Sequence, residues 1–504
     1  MRSLSLKAFV FTLAVTLSPH MEGMAKPPVK VQCTGTISKK KLDELKHSVV
    51  SIHIHETEAA FKKPTNSCGT GFVVDLKKGI LVTNRHIASV DTPASYEIEF
   101  YDGTILEANF IWNHPTQDFA FLKVDPQKIP NTVRQVQFAD AQSGEAITII
   151  GNNEANGHSV QTGQFIDLFN ITDPVFPGHS LSMSLNTKGG SSGSPIFNDN
   201  GQVVALNKSG NDTTGFSIPI RYIRDALQVV SRKEIPHYIA TGAIFRHTAL
   251  DKLALYYKYP HQKEMREFLK SIPDSRNRLL CVESVLPGTP AATLLEPGDI
   301  IEAVNGKRVG PDLYRLESLM PKKPGEAVKF TLIRNGKILE LEVPTIDLNK
   351  NQCATFAKVG NTIFATITPI ESYITGMPMG SVCVMTQTGG ALFEQLPRPF
   401  AEGNPQVKLT KINGHPIKTL DDFIRVIPAA LAEKHFHYHI QDYGLEFRNV
   451  NTCKTHQNEL SQYAKHDAAY YDPPVIVSFN PKTFTWERKP LSVPPVAQKG
   501  SKKN

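Results

Sequence analysis

Hydrophobic and polar residues alternate with a period of two along much of the first half of the chain. Val50, Ile52 and Ile54 are separated by polar residues, which is typical of a half-buried β-strand. Similar short runs follow at residues 69–75, 80–88, 96–100, 108–111, 118–124 and 147–151. Many short strands at hairpin spacing, without long helical periods, predict an all-β barrel or sandwich of about 180 residues.

The second half of the chain has a different order of elements. A helical period at residues 221–231 ends the first region, and a mixed unit of strands and one helix follows. Its blocks are PGTPAA at 287–292, GDII at 298–301, VNG at 304–306, a helix at 312–320 and a hairpin at 335–336. A weaker copy follows in residues 364–447, where LTKING at 409–414 parallels the VNG block but PGTPAA and GDII have no counterpart.

Length and composition are those of a globular protein with several domains. The chain has 504 residues, of which 40% are hydrophobic and 20% charged, and this length suits about three or four domains. The net charge of +7 is small for the length, and the clearest basic cluster is Lys499, Lys502 and Lys503 at the end. A solvated tail explains that cluster, so we expect no nucleic-acid partner.

The first residues predict a signal peptide. Arg2 and Lys7 precede a short apolar run at residues 8–17, and residues 23–25 offer small side chains for cleavage. The run is too short to span a bilayer, and no other stretch approaches that length. We therefore expect secretion across the inner membrane to the periplasm, without stable insertion in the membrane.

The six cysteines do not form a recognisable metal or redox motif. They are Cys33, Cys68, Cys281, Cys353, Cys383 and Cys453, and no CxxC pair occurs among them. An exported chain permits disulfides. Pairing Cys33 with Cys68, and Cys353 with Cys453, would keep each bridge within one region, but the sequence cannot fix the pairing.

A loop of small residues around Ser192 is the clearest candidate for chemistry. Residues 187–195 read TKGGSSGSP between two apolar segments. Small residues allow a tight turn that leaves the serine hydroxyl uncovered, and they let two N–H groups point at one developing oxyanion. An ordinary hairpin connection is the alternative interpretation of the same loop.

Two upstream residues favour the catalytic interpretation. His86 lies at the end of a strand, and Asp118 opens an apolar strand, where a carboxylate needs a partner. A serine needs a base, and the base needs an anion that fixes its tautomer. We therefore assign nucleophilic attack to Ser192, proton transfer to His86 and orientation of His86 to Asp118. The N–H groups of Gly190 and Ser192 would form the oxyanion hole.

These segments resemble the three catalytic blocks of the HtrA/Deg serine proteases, which are chymotrypsin-like. The resemblance rests on TNRHI at 83–87, DFAFLK at 118–123 and GSSGSP at 190–195, with GTGFV at 69–73 and GFSIP at 215–219. Ser194 stands where the family often has glycine. The resemblance implies a mainly β fold in which a double β-barrel protease domain is followed by two PDZ-like α+β domains.

The expected domain boundaries follow from these blocks. They are a signal peptide at 1–25, an N-terminal arm at 26–45, a protease domain at 46–233, a first PDZ domain at 240–347, a divergent PDZ-like domain at 360–450, an extension at 451–488 and a disordered tail at 489–504.

Two substrate-contacting sites are implied by the same resemblance. Thr187, Leu206, Asn207 and Lys208 occupy the positions of the walls of the pocket for the substrate residue before the cleaved bond (P1). No acidic residue lies there, so we expect a small or medium apolar P1 residue rather than Lys or Arg. Gly242, Ala243, Ile244 and Phe245 match the carboxylate-binding loop of the first PDZ domain, although they depart from the GLGF form. A spacer role for this domain is the alternative.

We expect no cofactor, whether nucleotide, metal or haem. His435, His437 and His439 alternate on one predicted strand and could bind a metal, but a polar sheet face is the simpler interpretation. Family members degrade unfolded or misfolded proteins without ATP and assemble as trimers or multiples of trimers, and the resemblance implies both here.

Two other functions remain to be compared with proteolysis. A chaperone or PDZ peptide-binding adaptor with little proteolytic activity is the first. An esterase of the α/β-hydrolase type is the second, but it would need the order serine, acid, histidine and alternating long helices, which the sequence does not have.

Overall fold

The structure is a computed structural model. It describes residues 37–61, 64–153, 156–171, 176–211, 213–256, 259, 261–360, 362–386, 407–433, 435–442, 458–465 and 474–493. The predicted signal peptide, Cys33, Cys453 and residues 494–504 of the predicted tail lie outside the described residues.

The first half of the chain forms two closed six-stranded barrels. The first barrel has the order β1-β2-β3-β6-β5-β4. Its strands are β1 (Val49–Glu56), β2 (Asn66–Asp75), β3 (Ile80–Thr83), β4 (Ala94–Phe100), β5 (Ile105–Asn113) and β6 (Ala120–Lys123). The second barrel has the order β10-β11-β12-β9-β8-β7. Its strands are β7 (Ala146–Asn153), β8 (Asn156–Asn170), β9 (Ser180–Met183), β10 (Pro195–Asn198), β11 (Val203–Gly210) and β12 (Gly215–Pro219).

One hydrophobic cluster joins the two barrels. It contains Phe72 and Phe121 from the first barrel with Phe197 and Ile218 from the second. The helix α2 (Ile220–Val230) follows β12 directly and buries one apolar face on this cluster, as its period predicts. The helix α1 (Lys39–Lys46) lies within the predicted arm, and its N-terminus is capped by the Ser38 hydroxyl, which accepts from Lys41 N–H.

The first appended unit, residues 239–347, is an α+β unit with a six-stranded sheet. Its main order is β14-β15-β16-β18-β19, and β17 pairs with β16. The strands are β13 (Ile239–Ala240), β14 (Ala243–Ala249), β15 (Arg278–Val285), β16 (Ile300–Val304), β17 (Lys307–Arg308), β18 (Ala327–Arg334), β19 (Lys337–Pro344) and β20 (Ile346–Asp347), of which β13 and β20 pair with each other. The helices are α3 (Leu250–Tyr256), α4 (Gln262–Lys270), α5 (Ala291–Leu294) and α6 (Leu313–Ser318).

The second appended unit, residues 355–490, is built on a nine-stranded sheet. The order is β27-β26-β24-β23-β22-β21-β28-β29, with β25 on β24. The strands are β21 (Thr355–Val359), β22 (Thr362–Thr366), β23 (Val382–Thr386), β24 (Val407–Ile412), β25 (His415–Pro416), β26 (His435–Asp442), β27 (Asn458–Lys465), β28 (Val475–Asn480) and β29 (Thr485–Pro490); the helices are α7 (Pro369–Thr375) and α8 (Leu420–Ala432). The helix α8 begins with a capping box formed by Thr419 and Asp422.

The architecture confirms the predicted mainly β class and the double barrel. The second appended unit departs from the expected boundaries, because β21 begins before residue 360 and the hairpin β28–β29 pairs with it. The described strands of the predicted extension are therefore part of this sheet, and β29 runs into the segment predicted as a disordered tail.

Two further predictions concern the disulfide pairing and the absence of a membrane-spanning helix. Cys68 and Cys353 are free thiols, and the partners suggested for them, Cys33 and Cys453, lie outside the described residues. Among the helices of the described residues, none is both long and apolar enough to cross a membrane.

Candidate active site

His86 and Asp118 form a doubly hydrogen-bonded pair. The strand β3 ends at Thr83, and the chain then turns so that the Ile87 N–H donates to Asn84 O at 3.2 Å. This turn presents the His86 backbone N–H to Asp118 Oδ1 at 3.0 Å and places His86 Nδ1 2.7 Å from Asp118 Oδ2. The Asn84 side chain donates to the Asp118 carbonyl at 2.8 Å and so links the turn after β3 to the residues before β6.

The pair sets the tautomer of His86. Asp118 is buried, with 1% of its side chain exposed, whereas 38% of the His86 side chain is exposed. A carboxylate only accepts hydrogen bonds, so the proton between the two groups belongs to His86 Nδ1. His86 Nε2 is then left with a lone pair that can accept a proton.

A second histidine fixes the loop that leads to Asp118. His114 Nδ1 accepts the N–H groups of Thr116 at 3.2 Å and Gln117 at 2.9 Å. Burial, and then the Arg85 guanidinium, lower the pKa of His114 to about 3. His114 therefore remains a neutral acceptor and holds this turn over the physiological pH range.

The Ser192 loop is held by its main chain. The Thr70 N–H donates to Ser192 O at 2.8 Å, and the Gly193 N–H donates to Asn207 O at 3.0 Å. Gly190 and Gly193 have φ of 91° and 87°, which residues other than glycine rarely adopt. In the part of the chain that the structure describes, no hydrogen bond joins the Ser192 hydroxyl to His86.

The two N–H groups predicted for the oxyanion hole have no partner inside the described structure. Neither the Gly190 N–H nor the Ser192 N–H donates to another described residue, whereas the Ser191 N–H donates to Lys188 O. Free donors beside a nucleophile are what an oxyanion hole requires.

The four predicted pocket residues do not share one environment. Leu206 belongs to the cluster that joins the barrels, so it is a core residue and not a pocket wall. The Asn207 side chain, on β11, donates to Ser191 O at 2.8 Å and so holds the Ser192 loop. Lys208 is buried, with Nζ 3.5 Å from Ser180 Oγ and 5.5 Å from the centre of the Phe176 ring.

Thr187 lies at the edge of the same region. A Cβ atom on Gly210 would lie 2.4 Å from Thr187 Oγ1, so the end of β11 is packed directly against this residue. The Thr187 hydroxyl is buried and has no hydrogen-bond partner within the described residues.

The four predicted PDZ residues lie at a narrow cleft of the first appended unit. Gly242 has φ of 89° and packs on Thr289, and Ala243, Ile244 and Phe245 open β14. The cleft is also lined by α6 and by Tyr238 to Thr241 of the preceding linker. Its volume of about 30 Å³ suits one water molecule and no peptide side chain.

The described part of the chain contains no group of three or more His, Cys, Asp and Glu side chains that could hold a metal. The His437 and His439 rings lie 4.7 Å apart on β26, and the side chain of His435 lies outside the described residues.

Sequence reasoning missed one residue that contacts the Ser192 loop directly, Thr70. The GTGFV segment is part of the family resemblance, but the resemblance assigns no role to its threonine. A hydroxyl residue between two glycines on an apolar strand was a usable signal, because a hydroxyl that becomes buried there, as Thr70 does, needs partners.

Comparisons with known proteins identify two domains in this chain. Residues 69–206 match the family model of the trypsin-like peptidase domain, and residues 271–345 match that of the PDZ domain. The first match includes His86, Asp118 and Ser192. The second begins after the predicted carboxylate loop at 242–245.

Several named proteins are similar over most of this chain. Pro-apoptotic serine protease NMA111 of Yarrowia lipolytica is 28% identical over 409 residues, which are 77% of this chain and 40% of that protein. Protease Do-like 7 of Arabidopsis thaliana is 25% identical over 474 residues, 88% of this chain and 41% of that protein. This chain thus spans less than half the length of these relatives. The solved structure of the HtrA-type protease AlgW with tripeptide has 20% identity and a TM-score of 0.44, covering 60% of this chain and 95% of its own.

Proposed function

We propose that this chain is an ATP-independent serine endopeptidase. The proposal takes as its premise that the chain is an HtrA-type member of the trypsin-like serine proteases with a PDZ domain. The observation that carries the proposal is the His86–Asp118 pair, with hydrogen bonds at 2.7 and 3.0 Å, on a barrel whose residue Thr70 also holds the Ser192 loop. A similar pair, His237 with Asp347, occurs elsewhere in the chain; the His86 pair is distinguished by its link to the Ser192 loop through Thr83 and Thr70.

In the proposed acylation step, Ser192 Oγ attacks the peptide carbonyl carbon while its proton passes to His86 Nε2. The new oxyanion accepts the N–H groups of Gly190 and Ser192. His86 is then positively charged, and Asp118 stabilises this charge. When the C–N bond breaks, His86 returns the proton to the leaving amine.

Hydrolysis of the acyl-enzyme completes the proposed cycle. His86 Nε2 takes a proton from a water molecule, the water oxygen bonds to the ester carbon, and Ser192 leaves with the proton from His86. The Ser192 hydroxyl must rotate toward His86 for the first step, and catalytic hydrogen bonds commonly tighten only when substrate is bound.

The missing Ser192–His86 hydrogen bond is also the observation that favours a second candidate, a chaperone or PDZ peptide-binding adaptor with little proteolytic activity. The two candidates predict different results for an unfolded substrate. A protease shortens it, whereas an adaptor binds it and leaves its length unchanged.

We extend the proposal to substrates and assembly. The substrates are unfolded or misfolded proteins, because an extended chain can enter the site. The family resemblance favours assembly as a trimer or a multiple of trimers.

Peptide binding at Gly242 to Phe245 requires the linker to leave the cleft first. Near the serine loop, the buried cation Lys208 disfavours a basic P1 residue, so a small or medium apolar one remains the expected preference.

Export to the periplasm is also part of the proposal and rests on residues 1–25 alone. The relatives named above come from a fungus and a plant, so they lend it no support. N-terminal sequencing of the mature chain tests it, with a start near Lys26 as the expected result and an intact Met1 as the contrary one.

Digestion of casein tests the proposed function. Wild type should cut casein without ATP, Ser192→Ala should not, and Ser95→Ala, at an exposed serine on β4, should cut as wild type does. Equal digestion by wild type and Ser192→Ala would rule out Ser192 as nucleophile. Binding of casein without cutting by wild type would support the adaptor.

A further inference from the structure

We infer that Thr70 is a positioning residue for the oxyanion hole, acting through its side-chain hydroxyl; this inference rests on the proposed serine protease function. Thr70 lies on β2 of the first barrel, whereas the Ser192 loop belongs to the second. Its side chain is fully buried, and it contacts the main chain of the loop at two points.

The first argument is the direction of the hydrogen bonds at the hydroxyl. Thr70 Oγ1 lies 3.0 Å from the Asn152 backbone nitrogen and 2.8 Å from Gly190 O. A backbone N–H can only donate, so the hydroxyl accepts from Asn152. Its own proton is then directed to Gly190 O. The orientation of this hydroxyl is therefore fixed by its surroundings, and it holds the Gly190 carbonyl in one direction.

The second argument is the position of this contact relative to the proposed oxyanion donors. The donors are the N–H groups of Gly190 and Ser192. The Thr70 hydroxyl holds Gly190 O, and the Thr70 N–H holds Ser192 O at 2.8 Å. One residue thus fixes a carbonyl at each end of the segment that carries both donors.

The need for such a contact follows from the backbone of Gly190. This residue has φ of 91°, and glycine changes between backbone conformations with little steric resistance. A rotation of the peptide units around Gly190 would turn a donor away from the oxyanion. Loss of preorganisation at such donors lowers the rate of the chemical step more than the binding of substrate.

The third argument is the connection of Thr70 to the histidine side of the site. The Thr83 hydroxyl donates to Thr70 O at 2.7 Å, three residues before His86. Gly193 packs on the same carbonyl so closely that a Cβ atom there would lie 2.0 Å from it. Thr70 therefore sets the distance between the Ser192 loop and the segment that bears His86.

The backbone bonds of Thr70 would survive substitution, but the bond to Gly190 O needs a hydroxyl. Thr70→Val keeps the shape and removes the hydroxyl, and Thr70→Ser keeps the hydroxyl and removes a methyl group. Thr70→Ala serves if the valine variant does not fold, since water can enter the space that it leaves.

The experiment measures kcat and KM on a fluorogenic peptide, with concentrations corrected by active-site titration, for wild type and each variant. We expect Thr70→Val or Thr70→Ala to lower kcat about tenfold or more while KM changes less than about twofold. Thr70→Ser should stay within about threefold of wild type, because it restores the donor. A merely structural role would lower the number of active sites and leave kcat per site unchanged.

Three results would overturn the inference. They are a wild-type kcat per active site in the variants without the hydroxyl, an equal loss in Thr70→Ser, and a change confined to KM. If wild type itself neither cuts the peptide nor becomes acylated, the proposed function fails and this inference fails with it. If wild type is active and only the Thr70 comparison is negative, the proposed function stands.

Discussion

The two appended units contact the peptidase barrels through a different balance of polar and apolar contacts. In the first unit two ion pairs stand out: Arg221 of α2 binds Asp312 at 2.6 and 3.2 Å, and Arg278 of β15 binds Asp167 with two bonds of 2.7 Å. Ile171 of the second barrel also lies in the core cluster of this unit. The second unit contributes Phe479 to the core cluster of the first barrel, and its Lys358 and Arg488 also pair with Glu58 of the loop after β1.

The second unit also takes apolar residues from the barrel into its own core. Ala60 and Phe61 of the loop between β1 and β2 lie in one cluster with Phe356 and Ile363. Apolar burial is insensitive to salt and to moderate pH changes, whereas ion pairs are sensitive to both. Because more of the second unit's attachment is apolar, we expect the first unit to separate from the barrels more readily when salt or pH changes.

The largest effect is expected from Phe479→Ala. Phe479 packs edge-on against Phe110 with ring centres 5.1 Å apart and is almost fully buried. Removing a buried phenylalanine side chain should lower the free energy of unfolding by about 3–5 kcal/mol. Chemical denaturation measures the loss, and Lys482→Ala, on the exposed turn of the same hairpin, is the control. A loss of less than about 1 kcal/mol would show that apolar contacts do not attach this unit.

Glu317 gives the first unit a pH dependence. Glu317 accepts hydrogen bonds from Tyr222, at 2.7 Å, and from Tyr238. Burial raises the pKa of Glu317 from 4.5 to about 7. The folded chain therefore holds a proton that the unfolded chain releases, so the stabilisation is complete below pH 4.5 and is lost as the pH rises through about 7.

The expected size of this change is on the order of 2–3 kcal/mol. Thermal denaturation between pH 4.5 and 8 should show a falling Tm in wild type, a smaller fall in Glu317→Gln, and a wild-type profile in Glu326→Gln, where the residue is exposed. Burial also raises the pKa of Glu371, on α7 of the second unit, to about 7, so the double variant should be flatter still. Identical profiles in wild type and Glu317→Gln would contradict the assignment.

The smallest effect is expected from Asp167→Asn. Burial raises the pKa of Asp167, but the hydrogen bonds from Arg278 and the Phe169 N–H outweigh burial and leave the pKa below its usual value. Losing this partly exposed pair should cost about 1–2 kcal/mol. It should also speed proteolytic cutting between α2 and β14, as should raising salt from about 0.05 to about 0.5 M on wild type.

The control for this prediction is Glu340→Gln, which breaks an exposed pair with Lys329 inside the first unit and should leave the cutting rate unchanged. Salt-independent cutting of wild type would show that ion pairs do not hold the first unit in place.

The proposed catalytic residues were accessible to sequence reasoning because each lies in its own short motif. His86 follows a strand, Asp118 opens one, and Ser192 is surrounded by small residues. The contact between His86 and Asp118 then required only that β3 and β6 pair in the first barrel. Alternation of apolar residues, read without tertiary information, was sufficient for most strands of these barrels.

The role of Thr70 and the error at Leu206 have a different origin. The Thr70 hydroxyl has its role because it hydrogen-bonds with Asn152 and Gly190. Both residues are far away in sequence and belong to the other barrel. Leu206 pairs with Pro195 on one side and with Ile218 on the other, and its side chain lies in the core cluster that joins the barrels. Local pattern cannot show either feature, because both depend on how strands pair.

The central claim is that Ser192 is a nucleophile activated by His86, and labelling by a fluorophosphonate probe tests it most directly. The account predicts labelling of wild type, none of Ser192→Ala, and strongly slowed labelling of His86→Ala in a chain of unchanged Tm. Failure of wild type to label, or equal labelling of wild type and Ser192→Ala, would contradict it.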